Sequence, residues 1–389
     1  MKFQDYLGTI SFGIKIGAVL PGDDVAKLVC DAVAKGVKDN LISDGDIVCV
    51  TETIVAKAQN NFISTDDMAK EIRKKLNINE NSTLGLLLPM VSRNRFLPLL
   101  KGFAETVNKG KIIIQFPYPD DEVGNFIIPK EYLDERGIGL DSKISADELE
   151  GKNFRHPYTG VNYPALYKET IENEGALQEI FLSNNPLEII NHNPDAIIVC
   201  NIHERDEIKE KVKKVYENCI SMQEIFNDSS TGSWSEWGLY GTNMVHNRIK
   251  LAPREGDKVA EEIKAKITKE TNTNVEVIIY GDGAYKDPSQ KIWELADPVT
   301  TFGSSSNLKN RKRTGVKYKL IADKLFAEGK SREFIENQIE IEKTKKHEID
   351  SIISEGTTPR ELCDLLASLA DLISGSADAG TPIVIIKNF

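Results

Sequence analysis

Four acidic side chains lie close together in the sequence after a run of β-branched residues. The run covers residues 274–280 (NVEVIIY); the glycine-flanked Asp282 follows it, with Asp287, Glu294 and Asp297 further along. Ligands collect where strands of open α/β sheets end, and glycine lets the backbone approach a bound ion closely. Carboxylates are preferred ligands of hard divalent cations, so we predict a metal site with Asp282 and Asp287 as ligands. An ordinary tight turn is the alternative.

Three further segments have the composition of a phosphate-binding surface. They are the turn at residues 16–19 (IGAV), the polar group Glu52, Thr53 and Lys57 just past a predicted strand end, and the small-residue loop 374–381 (SGSADAGT). The turn and the loop would offer backbone amides to an anion, and Lys57 would bind phosphate as a point charge. The alternatives are a solvated helix lysine for Lys57 and a helix C-cap for the loop.

Familiar nucleotide and hydrolase motifs are missing from the sequence. There is no GKS/T phosphate loop, no GxGxxG, no GxSxG and no HExxH. His203 is the histidine of most interest, since it follows an apolar run and has Glu204 and Asp206 beside it. A residue in the first turn of a helix is the alternative role for His203. No residue of the sequence stands out as a general base, and Glu52 and His203 are the two residues that could serve as one.

Strand and helix patterns alternate along the chain, which predicts an α/β fold of mixed sheets covered by helices. The predicted strands are residues 47–50, 84–88, 111–116, 195–201, 274–280 and 382–386, and helices are predicted to begin near Asp24, Ser64, Glu204, Asp257, Ser331 and Pro359. We divide the chain into an N-terminal α/β part (1–130), an insertion without structural assignment (131–235) and a C-terminal α/β part (236–389). The isoleucine stripe of helix 331–354 predicts a docking face.

Composition is that of a globular protein with a large core. The chain has 389 residues, 40% hydrophobic and 28% charged, with a net charge of -11. This charge argues against nucleic acid as a partner. The five cysteines include no CxxC pair, and no apolar run approaches the roughly 20 residues that cross a bilayer. The first residues lack the apolar core of a signal peptide, so we expect a cytoplasmic protein without membrane contact.

Three stretches of the chain resemble one known family. Residues 16–59, with PGDDVAKLV, SDGDIVCV and TETIVAKAQ, closely resemble the opening of the coenzyme F-420 (deazaflavin) γ-glutamyl ligases. Residues 361–386 (ELCDLLASLADLISGSADAGTPIVII) resemble the closing helix, loop and strand of that family. VEVIIYGDGAYKDP stands where the family has a strand ending in an Asp-Thr motif. The chain looks like a long bacterial form of the family.

The resemblance implies a mixed α/β fold, a homodimer, and GTP-dependent joining of L-glutamate to an acceptor carboxylate. It implies magnesium or manganese as cofactor, with potassium as a further ion. Its nucleotide-binding positions fall here on Ile16, Gly17, Ala18, Val19, Glu52, Thr53, Lys57, Asn243, Ser376, Asp378, Gly380 and Thr381, and its metal position falls on Asp282. The family's first metal aspartate falls on Tyr240, and the threonine after its second falls on Gly283. Residues of about 90–235 have no counterpart in the short archaeal enzymes.

The expected function is a nucleotide-dependent carboxylate–amine ligase that works through an acyl phosphate. Two alternatives remain open. The same chemistry would serve a folate-like or peptide acceptor. A nucleotide-binding regulatory protein without turnover would account for Tyr240 and Gly283.

Overall fold

The computed structural model describes residues 6–245, 248–281, 298–313, 315–345, 360–374 and 380–389. The strands are β1 (Ile10–Ile14), β2 (Ile47–Thr51), β3 (Phe62–Ile63), β4 (Thr83–Leu87), β5 (Lys111–Phe116), β6 (Leu177–Leu182), β7 (Ala196–Val199), β8 (Cys219–Ser221), β9 (Asn243–Val245), β10 (Arg248–Lys250), β11 (Glu276–Tyr280), β12 (Thr301–Ser304), β13 (Lys312–Arg313), β14 (Arg360–Glu361) and β15 (Ile383–Lys387). The predicted α/β class is confirmed.

Helices accompany these strands along the chain. They are α1 (Val25–Lys38), α2 (Glu52–Ala58), α3 (Thr65–Leu76), α4 (Phe96–Thr106), α5 (Lys130–Arg136), α6 (Ala146–Leu149), α7 (Tyr163–Asn173), α8 (Arg205–Lys213), α9 (Gly256–Thr271), α10 (Tyr318–Ala327), α11 (Arg332–Thr344) and α12 (Leu362–Ser374). Local caps fix two of the starts: the Asp24 carboxylate accepts from the Lys27 amide, and Ser64 forms a capping box with Asp67. Among the described residues, no helix is both long and apolar enough to span a bilayer.

The first sheet is mixed, with strand order β1-β15-β2-β11-β12. β2 and β11 are parallel, whereas β15 runs antiparallel to both β1 and β2. Side chains alternate between its two faces, as the period of two in a strand requires. One face packs on α1 and α9, with Val48 and Val277 in that core, and the other packs on α12, with Cys49 and Ile278 in its core.

The second sheet is parallel throughout, with strand order β6-β5-β4-β7-β8. Helices α3, α4 and α7 cover one face and α8 covers the other. β4 lies in the middle, and the chain then builds outward first through β5 and β6 and afterwards through β7 and β8. The boundary predicted at residue 130 falls inside this sheet, since β4 and β5 precede it and β6, β7 and β8 follow it.

Two small antiparallel sheets complete the described structure. β3, β10 and β9 form a three-stranded sheet, and β13 pairs with β14. The region 130–190, which received no assignment from the sequence, contains α5, α6, α7 and β6. Helix α11 ends at Thr344 and has no buried residue along its described length, and Ile349 and Ile353 of the predicted stripe lie outside the described residues.

Candidate nucleotide and acceptor cavity

A cavity of about 420 Å³ opens at one edge of the first sheet. The sheet topology explains its position. β1, β2 and β11 all end at this edge, and β15 begins there because it runs antiparallel to β1 and β2. The segments that follow β1, β2 and β11, together with the residues that precede β15, therefore meet around one space. Its volume lies within the range of about 300–1,000 Å³ that is usual for small-molecule sites.

The predicted nucleotide-binding residues that the structure describes all line this cavity. They are Ile16, Gly17, Ala18, Val19, Glu52, Thr53, Lys57, Asn243, Gly380 and Thr381. Ser376 and Asp378, and both predicted metal ligands, Asp282 and Asp287, lie outside the described residues. Gly281, the residue that follows β11, is buried and lines the cavity. The geometry places the ten residues together, and their contacts with a nucleotide stay predictions.

Lys57 and the turn 16–19 are suited to an anion. The Lys57 ammonium has no hydrogen bond or ion pair with any described residue, and this half-buried side chain lines the cavity from the last turn of α2. The backbone N–H groups of residues 16–19 likewise donate to no described residue. Unpaired backbone donors beside a lysine ammonium form the kind of concave positive surface that binds phosphate.

Asn243 presents an acceptor to the same space. Its Oδ1 atom is buried and has no hydrogen-bond partner among the described residues. A buried polar atom without a partner costs free energy, so its presence at a cavity wall points to a ligand group that completes it. This oxygen would accept a hydrogen bond from an N–H or O–H group, or coordinate a cation.

Glu52 is held by a lysine that the sequence analysis did not single out. Lys250 Nζ lies 2.6 Å from Glu52 Oε2, and both side chains are almost fully buried. The Thr53 hydroxyl donates to Glu52 Oε1 at 2.8 Å. Both carboxylate oxygens therefore have partners, and the ion pair neutralises the acid that begins α2. This arrangement makes Glu52 a structural part of the wall and disfavours it as a general base.

His203 lies away from the cavity walls. Its backbone N–H donates to Glu122 Oε2 at 2.9 Å, and partial burial lowers the pKa of its imidazole. It is absent from the residues that line the cavity. The structure therefore gives His203 no contact with the candidate site.

Tyr240, which the resemblance predicts to replace the family's first metal aspartate, packs in the core of the second sheet. Its side chain is 1% exposed, and its hydroxyl donates to the carbonyl oxygens of Asn201, at 2.7 Å, and Val199, at 3.2 Å. The side chain thus covers the end of β7 and lines a separate space of about 20 Å³. In the described part of the chain, no group of three or more His, Cys, Asp or Glu side chains is arranged to hold a metal.

Two cavity residues that the sequence analysis missed come from the second sheet. Asn94 and Arg95 lie in the loop between β4 and α4 and line the same cavity as the residues of the first sheet. Asp371 and Ser374, near the end of α12, are further lining residues. The only signal for Asn94 and Arg95 was a polar run after an apolar strand, and many surface loops share it.

Comparison with known proteins agrees with the resemblance noted in the sequence. The model of the family described as F420-0:Gamma-glutamyl ligase matches residues 13–388. The coenzyme F420:L-glutamate ligase of Methanothermobacter thermautotrophicus is 47% identical over 47 residues, which are 12% of this chain and 18% of that protein. The aligned part is thus under a fifth of that relative's length, whereas the family model spans almost all of this chain. This chain belongs to the F420-0:gamma-glutamyl ligase family.

Proposed function

We propose that this protein is a GTP-dependent ligase that joins the amine of L-glutamate to a carboxylate of an acceptor. Family membership supports the reaction class. The observation that carries the proposal is the single cavity in which all ten described candidate residues meet. A scattered arrangement of these residues would have argued for a family fold without the family's chemistry.

The reaction would proceed in two balanced steps. An oxygen of the acceptor carboxylate attacks the terminal phosphorus of GTP, an O–P bond forms, and GDP leaves. The glutamate nitrogen then attacks the acyl carbon, the C–N bond forms and inorganic phosphate leaves; the ammonium group loses two protons to water in this step and keeps one as the amide N–H. Lys57 would hold phosphate oxygens and offset their charge, while the N–H groups of residues 16–19 would orient them. Holding both reactants in one cavity supplies much of the acceleration.

A divalent metal enters this proposal through the resemblance, because its predicted ligands are Asp282 and Asp287. A bound magnesium or manganese ion would neutralise charge on the phosphates. The described residues supply the Asn243 oxygen but no carboxylate cluster for such an ion. Potassium and the homodimer are likewise proposals that rest on the resemblance, and the dimer is checked by the mass in solution.

Thermal stabilisation by nucleotide tests the proposal without knowledge of the acceptor. A ligand that binds the native state raises the melting temperature by mass action. We expect a rise with GTP in the presence of manganese or magnesium, a smaller rise without metal, and loss of the metal-dependent part in Asp282→Asn. The absence of a shift with any nucleotide would contradict the proposal. A shift with ATP but not GTP would keep the ligase and correct the nucleotide.

A nucleotide-binding protein without turnover is the second candidate, and Tyr240 favours it. Its hydroxyl is committed to two backbone carbonyl groups, so it supplies no ligand to the cavity. Stabilisation by GTP that ignores metal, together with no release of phosphate with F420-0, a folate or a glutamyl peptide as acceptor, would decide for this candidate. Turnover with the folate or peptide alone would keep the ligase and change its acceptor.

A further inference from the structure

Asn94 and Arg95 bring the second sheet into the candidate site. The other described lining residues belong to the first sheet and its connections, or to β9. Asn94 and Arg95 instead follow β4, the central strand of the parallel sheet. The cavity therefore has two walls of different origin, and Lys57 and Arg95 place one cation on each.

The topology of the second sheet makes the β4–α4 loop a position for ligand contact. β4 and β7 are neighbours, and the chain continues to opposite sides of the sheet from them. Ligands of open parallel sheets bind beyond the carboxyl ends of the strands at such a switch point. The crevice at this point is nearly filled, with about 20 Å³ left between Arg95, Tyr240 and Cys200. Of these two spaces lined by described residues, the large cavity is therefore the one with room for a ligand.

The loop that carries Arg95 is fixed to the core of the second sheet. The backbone N–H of Val91 donates to the buried Asp121 carboxylate at 2.8 Å. The Ser92 N–H donates to the Tyr167 hydroxyl at 3.1 Å, and the Arg95 N–H donates to Ser92 Oγ at 3.2 Å. Because buried groups hold the backbone of the loop, that backbone has little freedom to lose when Arg95 binds a ligand.

We propose that Arg95, assisted by Asn94, binds a carboxylate of the acceptor, so that the second sheet forms the acceptor side of the cavity. This inference rests on the proposed function. A guanidinium presents a planar fork of donors that matches a carboxylate through two parallel hydrogen bonds, and the Asn94 amide adds a third donor. Lys57, which belongs to the first sheet's side of the cavity, is left for the phosphates. The carboxylate that Arg95 binds is the one that becomes joined to glutamate, so the substrate class is any acceptor that presents such a carboxylate to this side of the cavity.

Equilibrium binding of defined acceptors tests this assignment. The probes are F420-0, pteroyl-monoglutamate and a γ-glutamyl dipeptide, each titrated into the full chain saturated with a non-hydrolysable GTP analogue and manganese. We expect Arg95→Ala to weaken the probe that binds by about tenfold or more, as loss of a charge-assisted hydrogen bond predicts. Arg95→Lys should recover part of the affinity. Arg93→Ala is the matched control, since Arg93 lies in the same loop, is exposed and does not line the cavity.

A second experiment, which measures binding of the nucleotide alone, distinguishes failure of this inference from failure of the proposed function. Melting temperatures with and without the GTP analogue should show the same shift in Arg95→Ala as in the wild type. A reduced shift would make Arg95 a phosphate ligand and overturn the inference. Equal effects of Arg95→Ala and Arg93→Ala would overturn it too. Failure of all three probes to bind the wild type, with the nucleotide shift intact, would refute the acceptor assignment alone, whereas loss of every nucleotide shift would refute the proposed function.

Discussion

Lys250 and Glu52 form a buried ion pair behind the cavity wall, with 2.6 Å between Nζ and Oε2. Glu52 begins α2, the helix that also carries Lys57, and Lys250 ends β10. The pair therefore ties the helix of the first sheet to the small sheet that contains Asn243. Lys250, on a strand of three residues, thus connects the elements that carry Lys57 and Asn243, two of the candidate ligands.

Lys250→Met should destabilise the protein strongly, because it leaves the Glu52 carboxylate buried without its cation. Removal of one partner of a buried ion pair costs about 3–5 kcal/mol. Chemical denaturation followed by circular dichroism measures the change. The double variant Lys250→Met, Glu52→Gln is the control and should recover a large part of the loss. A single variant as stable as the wild type would show that the pair contributes nothing.

Lys57→Ala should weaken nucleotide binding while leaving the fold unchanged. Lys57 has no partner among the described residues, so little stability depends on it. Loss of a charge-assisted contact to phosphate of about 1.5–3 kcal/mol corresponds to roughly a ten- to hundredfold increase in the dissociation constant. Titration calorimetry with GTP and manganese checks this expectation. The exposed Lys101 on α4 is the matched control, and an equal loss in Lys101→Ala would point to general electrostatics.

Tyr240→Phe should lower the free energy of unfolding by about 1–3 kcal/mol, because two buried carbonyl oxygens lose their donor. The change keeps the ring and therefore its packing in the core of the second sheet. Denaturant melts of this variant and of Tyr318→Phe make a matched comparison, since Tyr318 is 55% exposed. We expect less than about 0.5 kcal/mol for the exposed site. A loss no larger at Tyr240 would rule out a structural role for its hydroxyl.

Glu122 should make stability fall as the pH rises toward neutrality. Burial raises the pKa of its carboxyl to about 7, although the N–H groups of His203 and Ile202 oppose this shift. A carboxyl with a raised pKa in the folded state contributes stability that is complete below its ordinary pKa of 4.5 and is lost as the pH passes through about 7.

The measurement for Glu122 is the free energy of unfolding at pH 5 and pH 8. The wild type should lose more stability between these values than Glu122→Gln, by an amount on the order of 2 kcal/mol. Asp121, whose pKa burial raises to about 6, is present in both proteins, and its charge contributes to the raised pKa of Glu122, so the difference reports Glu122 together with its interaction with Asp121. Parallel pH profiles for the two proteins would contradict the prediction.

The strands were predictable from local patterns, and their arrangement was not. The predicted strands 47–50, 111–116 and 382–386 correspond to β2, β5 and β15, because short runs of β-branched residues specify buried strands. Nothing in the run 382–386 indicates that it pairs with β1 and β2. That placement follows from contacts between distant segments, and single-segment periodicity contains no information on them.

Part of the cavity was predictable, because the ends of predicted strands and the motifs shared with the family both indicated residues that line it. Lys57 and the turn 16–19 follow strands, so their position at a sheet edge was expected. Arg95 was missed because only the order of strands in the second sheet brings its loop to that edge. Lys250 was missed because its role depends on an ion pair with Glu52, which lies almost two hundred positions away in the sequence.

The place of β15 between β1 and β2 also governs when the site is completed during synthesis. The Ser11 hydroxyl in β1 donates to the carbonyl oxygen of Ile385, 374 residues later. A ribosome that adds about 5–20 residues per second needs tens of seconds to cover that interval. The second sheet comes from one continuous segment and finds all its partners earlier. We therefore expect the second sheet and its Arg95 loop to fold first on the ribosome. The first sheet, which carries Lys57, is completed only after β15 has emerged.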